Sequence, residues 1–120
     1  MYLLEDLEIW RITRNFRKDI SILVKFLPND EKYRLTDQLL RSSRSVTANI
    51  AEGFGKYHYQ ENIQFCRQAR GSLLETLDHL YVALDEKYIE ENKFLDLRQK
   101  MNHCLKVLNG YIHYLQSKKK

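Results

Sequence analysis

The sequence has few chain breakers: one Pro and four Gly in 120 residues. That scarcity argues against a turn-rich β fold and favours long helices. Two cysteines, Cys66 and Cys104, are too few for a disulfide framework, and the expected setting is a reducing one. No stretch approaches the roughly 20 consecutive apolar residues of a membrane span. The opening MYLLEDLEIWR puts Glu5 and Asp6 where a signal peptide needs an apolar run, so a cytoplasmic protein with no membrane partner is expected. No linker or internal repeat interrupts the chain. One domain over residues 1–117 is expected, followed by a basic disordered tail, residues 118–120.

Signs of catalysis are also missing. His58, His79, His103 and His113 form no HExxH, and the positions three before them are Gly55, Thr76, Lys100 and Gly110. The Glu-x-x-His ligand pattern of di-iron bundles is therefore lacking. Two distant cysteines without paired histidines do not make a zinc site. Cys66 falls on an apolar stripe and reads as packing. Gly53-Phe54-Gly55-Lys56 lacks the spacing of a phosphate loop and reads as the end of a helix. Catalytic residues, cofactor ligands and metal ligands are all expected to be none, and the protein is expected not to be an enzyme.

Four helical patterns are present. The first runs from about Leu4 to Leu27, with Ile9, Phe16, Ile20, Leu23 and Leu27 on one face and Asp6 as N-cap or first-turn acid. Pro28 and Asn29-Asp30 make a turn. The second begins near Asp30 or Glu31 and keeps Leu35, Leu39, Ser42, Val46 and Ile50 inside. Gly53 and Gly55 are expected to close it in the left-handed conformation. The third starts after Tyr57 and carries Ile63, Cys66, Ala69, Leu73, Leu77, Leu80 and Leu84. The fourth, from about Glu90 to Ser117, carries Phe94, Leu97, Met101, Leu105, Leu108, Ile112 and Leu115. Short connections between long helices imply an all-α, antiparallel up-down-up-down four-helix bundle. Ile12, Ile22 and Phe26 on the first helix, and Phe65, Leu74 and Tyr81 on the third, broaden the apolar faces beyond one stripe. They point to self-association or to scattered surface hydrophobes.

The formal net charge is +4, and Lys118, Lys119 and Lys120 account for three of those charges. The body is nearly neutral, with positive excess in residues 31–57 and 88–120 and negative excess in 58–87. Local clusters matter more. Arg11, Arg14 and Lys18 share a face of the first helix, Arg41 and Arg44 lie on the second, and Arg67 and Arg70 on the third. Repeated around an oligomer they would hold a phosphate backbone, and Tyr57, His58 and Tyr59 offer rings to unstacked bases. Each cluster also reads as a solvated or acid-paired face.

SVTANIAEGFGK, residues 45–56, is an unusual helix ending. Ser42, Ser43, Ser45, Thr47, Ala48 and Ala51 leave the second helix nearly bare of bulk, and Ala69, Gly71 and Ser72 do the same on the third. A helical Gly costs about 1 kcal/mol relative to Ala, which close packing offsets. Asn49 and Glu52 then lie near a close contact and need partners, with Arg41 and Arg44 eight residues before them on roughly the same face. A structural or interface role for Asn49, Glu52, Gly53, Gly71 and Ser72 is preferred to a ligand site.

These residues resemble a family. Gln38-Leu39, Arg41, Ser45-Val46, Asn49-Ile50-Ala51-Glu52-Gly53 and Gly55-Lys56 resemble the signature of the bacterial 23S rRNA intervening-sequence proteins. So do Glu61, Phe65, Ala69, Gly71, Ser72, Leu73 and Glu75, the opening LEDLEIWR and the FLPNDEKYRLTDQL junction. Thr47 and Ala48 stand where Pro and Ser are usual, and Arg44 where an apolar residue is usual. The resemblance implies four antiparallel helices and a homo-oligomer, with a pentameric ring as the expected form. It extends distantly to the accessory proteins of diversity-generating retroelements, which work with a reverse transcriptase and nucleic acid. The expectation is a non-enzymatic, self-assembling bacterial protein that binds nucleic acid, structured RNA before DNA, through basic helix faces. The alternative is a structural or adaptor ring that recruits a protein partner such as a reverse transcriptase.

Overall fold

A computed structural model describes residues 2–119. Its four long helices are α1 (Glu8–Leu23), α2 (Leu35–Phe54), α3 (Tyr59–Asp85) and α4 (Glu91–Lys118), and no strand occurs among the described residues. They form a rod of 48 × 24 × 22 Å.

The apolar spacing explains which faces are inside. Ile9, Phe16, Ile20 and Leu23 of α1 are buried, with Leu27 just beyond it. Leu35, Leu39, Val46 and Ile50 of α2 are buried, as are Ile63, Cys66, Ala69, Leu73, Leu77 and Leu80 of α3. On α4 the interior is Phe94, Leu97, Met101, Cys104, Leu108, Ile112 and Leu115. Leu105 and Leu84 are half-buried rather than central. After Met101 the helical repeat brings residue 104 inward and carries residue 105 about 100° further round.

Helix limits depart from expectation. Leu4–Asp6 and Val24–Phe26 wind as separate 3₁₀ turns on either side of α1. Asp6 caps the first of these, its carboxylate accepting the Leu3 N–H at 2.8 Å. Asn29–Glu31 is a third 3₁₀ turn, and α2 starts only at Leu35. The chain turns from α3 into α4 at Lys87, which takes the left-handed conformation at φ 62°. The Tyr88 N–H reaches back to the Ala83 carbonyl there at 2.9 Å, satisfying the end of α3. No glycine has positive φ, so the left-handed closure expected of Gly53 and Gly55 does not occur. Gly55 ends α2 in right-handed geometry, its N–H donating to the Ala51 and Glu52 carbonyls. Of the expected tail, Lys118 is the last residue of α4, and the Lys119 ammonium donates to Gln60 Oε1 at 2.7 Å. Lys120 lies outside the described residues.

Side-chain pairs fix the helix neighbours. Between α2 and α3, Arg41 meets Glu75, Thr76 meets Ser42 at 2.8 Å and Ser72 meets Ser45 at 2.9 Å. Between α3 and α4, Asn62 meets Tyr111 at 3.2 Å, Arg70 meets Asn109 at 2.9 Å, and the Tyr81 and Phe94 ring centroids are 4.7 Å apart. Arg17 of α1 donates to Thr47 of α2 at 2.8 Å, and Lys100 of α4 to Asp19 of α1 at 3.1 Å.

Candidate nucleic-acid interface

The seven basic residues singled out in the sequence do not form one surface. Arg11, Arg14 and Lys18 are exposed on α1. Arg11 donates to the Glu5 carbonyl at 2.9 Å, and the Arg14 guanidinium lies 5.6 Å from the Trp10 ring centroid. Arg44 is exposed on α2, and its carbonyl accepts the Thr47 hydroxyl. The same Thr47 oxygen accepts Arg17, so Arg17 of α1 is held one hydrogen bond from the Arg44 backbone. Sequence reasoning passed over Arg17, although its position three after Arg14 was the available signal. Among the described residues, Arg11, Arg14, Arg17, Lys18 and Arg44 enter none of the ion pairs.

The other three differ. Arg41 points to α3, where it pairs with Glu75 and hydrogen-bonds Gln38. Desolvation works against the Glu75 carboxylate, but hydrogen bonds from His79 and Arg41 outweigh it and hold its carboxyl below the ordinary range. Arg70 is half-buried and bonded to neutral Asn109. Arg67 is exposed on α3.

A concave region lies elsewhere. A cleft of about 810 Å³ opens at the end of the rod where α1 begins, α2 ends, α3 begins and α4 ends. Its aromatic lining comes from Tyr2, Phe54, Tyr57, Tyr59, Tyr111 and Tyr114, and its cations from Lys56 and Lys106. At its inner side the buried Asn62 amide donates to the Tyr111 hydroxyl at 3.2 Å. Burial raises the Tyr111 pKa, against the opposing Asn62 hydrogen bond, so the phenol keeps its proton. Because that oxygen accepts from Asn62, its own O–H is free to donate into the cleft. Tyr57, His58 and Tyr59 were the part of this lining visible in sequence; the α4 contribution was missed. Tyr111 and Tyr114, three apart on one helix face, carried that signal.

Neither thiol is poised for chemistry: Cys66 and Cys104 are free and buried, and burial pushes both up to about 12. Among the described residues, no three His, Cys, Asp or Glu side chains are grouped to hold a metal ion. No helix of the described residues is long and apolar enough to cross a membrane.

Residues 5–110 match the family described as 23S rRNA-intervening sequence protein. The chain belongs to that family. This intervening-sequence family member is also similar to a crystal structure from Bacteroides thetaiotaomicron VPI-5482. That protein is described as one of unknown function from the S23 ribosomal protein family. The two are 26% identical, with a TM-score of 0.80 over 87% of this chain and 97% of that one. No curated protein matches.

In this family member, the NIAEG-G block serves three different ends. Gly53 is buried where α2 meets α3, and a Cβ there would lie 2.6 Å from Asn62 Oδ1 and 3.0 Å from Phe65 Cβ. Asn49 does not find an arginine: its amide donates to the Ser45 carbonyl at 2.9 Å, within α2. Glu52 is exposed, not enclosed at a close contact. Residue 52 lies a further 60° round the helix from residue 49, which turns it outward. Ser72 bonds Ser45 across the helix pair. Gly71 is the opposite of the expectation of tight packing, since a Cβ there meets nothing within 4 Å and the residue is exposed.

Proposed function

We propose that this chain is a non-enzymatic, self-assembling protein of the cytoplasm that binds structured RNA through the outer face of α1. The observation that carries this reading is the group Arg11, Arg14, Arg17, Lys18 and Arg44, five cations without an ion-pair partner among the described residues. Cations already neutralised by carboxylates release few counterions from a phosphate backbone, whereas free ones give salt-dependent affinity. Arg41, bound to Glu75, contributes least, and Arg67 and Arg70 sit on α3.

We infer an up-down-up-down course for the helices, supported by the order of the pairs: residue numbers rise along α2 as their partners fall along α3, and likewise between α3 and α4. Self-association is supported by apolar residues left in solvent, and the pentameric ring rests on the family resemblance alone. Ile22, Phe26, Leu74 and Tyr81 are exposed, whereas Ile12 and Phe65 are half-buried. The same residues favour a second reading, in which the assembled chain docks a protein partner, such as a reverse transcriptase, and no nucleic acid. Two buried free thiols suit a reducing compartment.

The test is filter binding of an RNA hairpin at rising salt, beside light scattering for mass. Replacing Arg11, Arg14 and Lys18 by Gln should abolish binding and flatten its salt dependence while mass and melting stay unchanged. A native protein that binds no RNA at low salt ends this reading and leaves the docking one.

A further inference from the structure

We propose that the cleft at the end of the bundle is a nucleotide site, taking a base against its tyrosine rings and a phosphate on Lys56 and Lys106. The inference stands apart from the α1 face, because the cleft lies at the molecule's end and uses none of that face's arginines.

Three features select this ligand class. The first is size and shape: about 810 Å³ falls within the roughly 300–1,000 Å³ of small-molecule sites. The second is the lining. Aromatic faces from three separate stretches of chain meet there, and planar bases stack on such rings with little regard to sequence. Tyr57 in the lining is 92% exposed, whereas Tyr111 is half-buried. The third is charge. Lys56 and Lys106 face a single carboxylate, Glu8, in the lining. Lys118, 5.7 Å from the Tyr114 ring centroid, adds a cation close to the lining. The Lys56 ammonium also lies 5.4 Å from the Phe65 ring centroid, but a purely apolar ligand leaves the charge of both lysines and the free Tyr111 O–H unmatched. A base bearing a phosphate uses all of them, with the Tyr111 O–H donating to a base carbonyl or ring nitrogen.

A free nucleotide and an unstacked nucleotide of an RNA strand present this same chemistry, and the experiment separates them. The full-length protein is titrated calorimetrically with AMP, UMP, adenosine, inorganic phosphate and a single-stranded oligoadenylate. Tyr111→Phe, Lys56→Gln and Lys106→Gln follow, each checked for native mass and melting; the two lysines are exposed, so those variants test the site without a folding burden. AMP and UMP should both bind. Adenosine and phosphate alone should be weaker, and each lysine variant should lose about tenfold, the scale of one charge-assisted hydrogen bond. Tyr111→Phe should lose roughly fivefold. If only the oligonucleotide binds, and the variants weaken it equally, the proposal holds with RNA as the source. If adenosine or phosphate alone matches AMP, if nothing binds, or if binding ignores all three variants, the cleft is not a nucleotide site.

Discussion

The α2–α3 contact and the α1–α4 contact are built from different side chains and do different work. Between α2 and α3 the meeting residues are small: Ser42 against Thr76, Ser45 against Ser72, Gly53 against Asn62 and Phe65. Their backbones approach closely, and the hydroxyls are satisfied by each other and by carbonyls of their own helices. Between α1 and α4 the specific bond is Asp19 to Lys100 at the rim. A hollow of about 350 Å³ lies among Ile12, Phe16, Gln99, His103 and Cys104. His103 and the N-terminal end of α1 also line the larger cleft. Small residues therefore mark where this fold is closed, and bulky aromatics line the cleft at its end.

The sharpest test of that contrast is Gly53→Ala. The new methyl would press on Asn62 Oδ1, the Asn62 carbonyl at 3.1 Å and Phe65 Cβ. Two of those three atoms are held by the α3 backbone and cannot swing away. Overpacking of this kind costs about 1–3 kcal/mol, offset in part by the roughly 1 kcal/mol that Ala gains over Gly in a helix. Urea unfolding should show a lower midpoint at unchanged slope. An unchanged midpoint would mean that α2 and α3 are less closely apposed than described.

Thr76→Val comes next. Thr76 is fully buried, its hydroxyl donating to the Ser72 carbonyl and accepting from the Ser42 hydroxyl, each at 2.8 Å. Keeping the shape while removing the hydroxyl should lower stability by about 1 kcal/mol. A double cycle with Ser42→Ala should show coupling, since the two hydroxyls share one bond. The matching cut on the open side, Lys100→Ala, should cost less, about 0.5 kcal/mol, because that pair is exposed.

Gly71→Ala reverses the sign. Nothing lies within 4 Å of a Cβ there, so the single chain should gain up to about 1 kcal/mol from helix propensity and a less flexible unfolded state. The same variant reads the proposed assembly. If a second copy seats over Gly71, melting falls and light scattering reports a smaller mass. If melting rises at constant mass, the ring contact lies elsewhere, toward Ile22 and Phe26.

How much of this was legible follows from what each residue's sequence position encodes. Apolar stripes gave the four helices and nearly all of the core, because a 3.6-residue repeat is a local property. The ends were less legible. Asp6 caps a 3₁₀ turn instead of α1, and a sequence does not say which helix type a cap serves. Asn49 and Glu52 were grouped because both are polar beside small residues, yet they point in different directions, and only a fixed packing angle separates them. Gly53 and Gly71 look alike in sequence, yet one is under α3 and the other in solvent. The cleft was least legible, since its lining is assembled from both ends and the middle of the chain. The α1 cations were found by spacing, while the loss of Arg41 to Glu75 is a tertiary fact.

The smallest effect concerns that pair and separates the seam from its rim. Glu75 bonds both Arg41 and His79, with His79 Nε2 at 3.2 Å, and its carboxyl titrates below the ordinary 4.5. A depressed carboxylate adds stability above its unfolded pKa and loses it as the pH falls through the folded one. The contribution should thus be complete at pH 7 and fade below pH 4.5. Glu75 is 38% exposed, so solvent screening holds the effect to about 0.5 kcal/mol or less. Glu75→Gln should lower stability at pH 7 by up to that amount, leave the acid value almost unchanged, and so flatten the acid limb of stability against pH. A much larger drop at pH 7 would place Arg41 and Glu75 inside a desolvated contact, which is what burial of this α2–α3 seam by a second copy would produce.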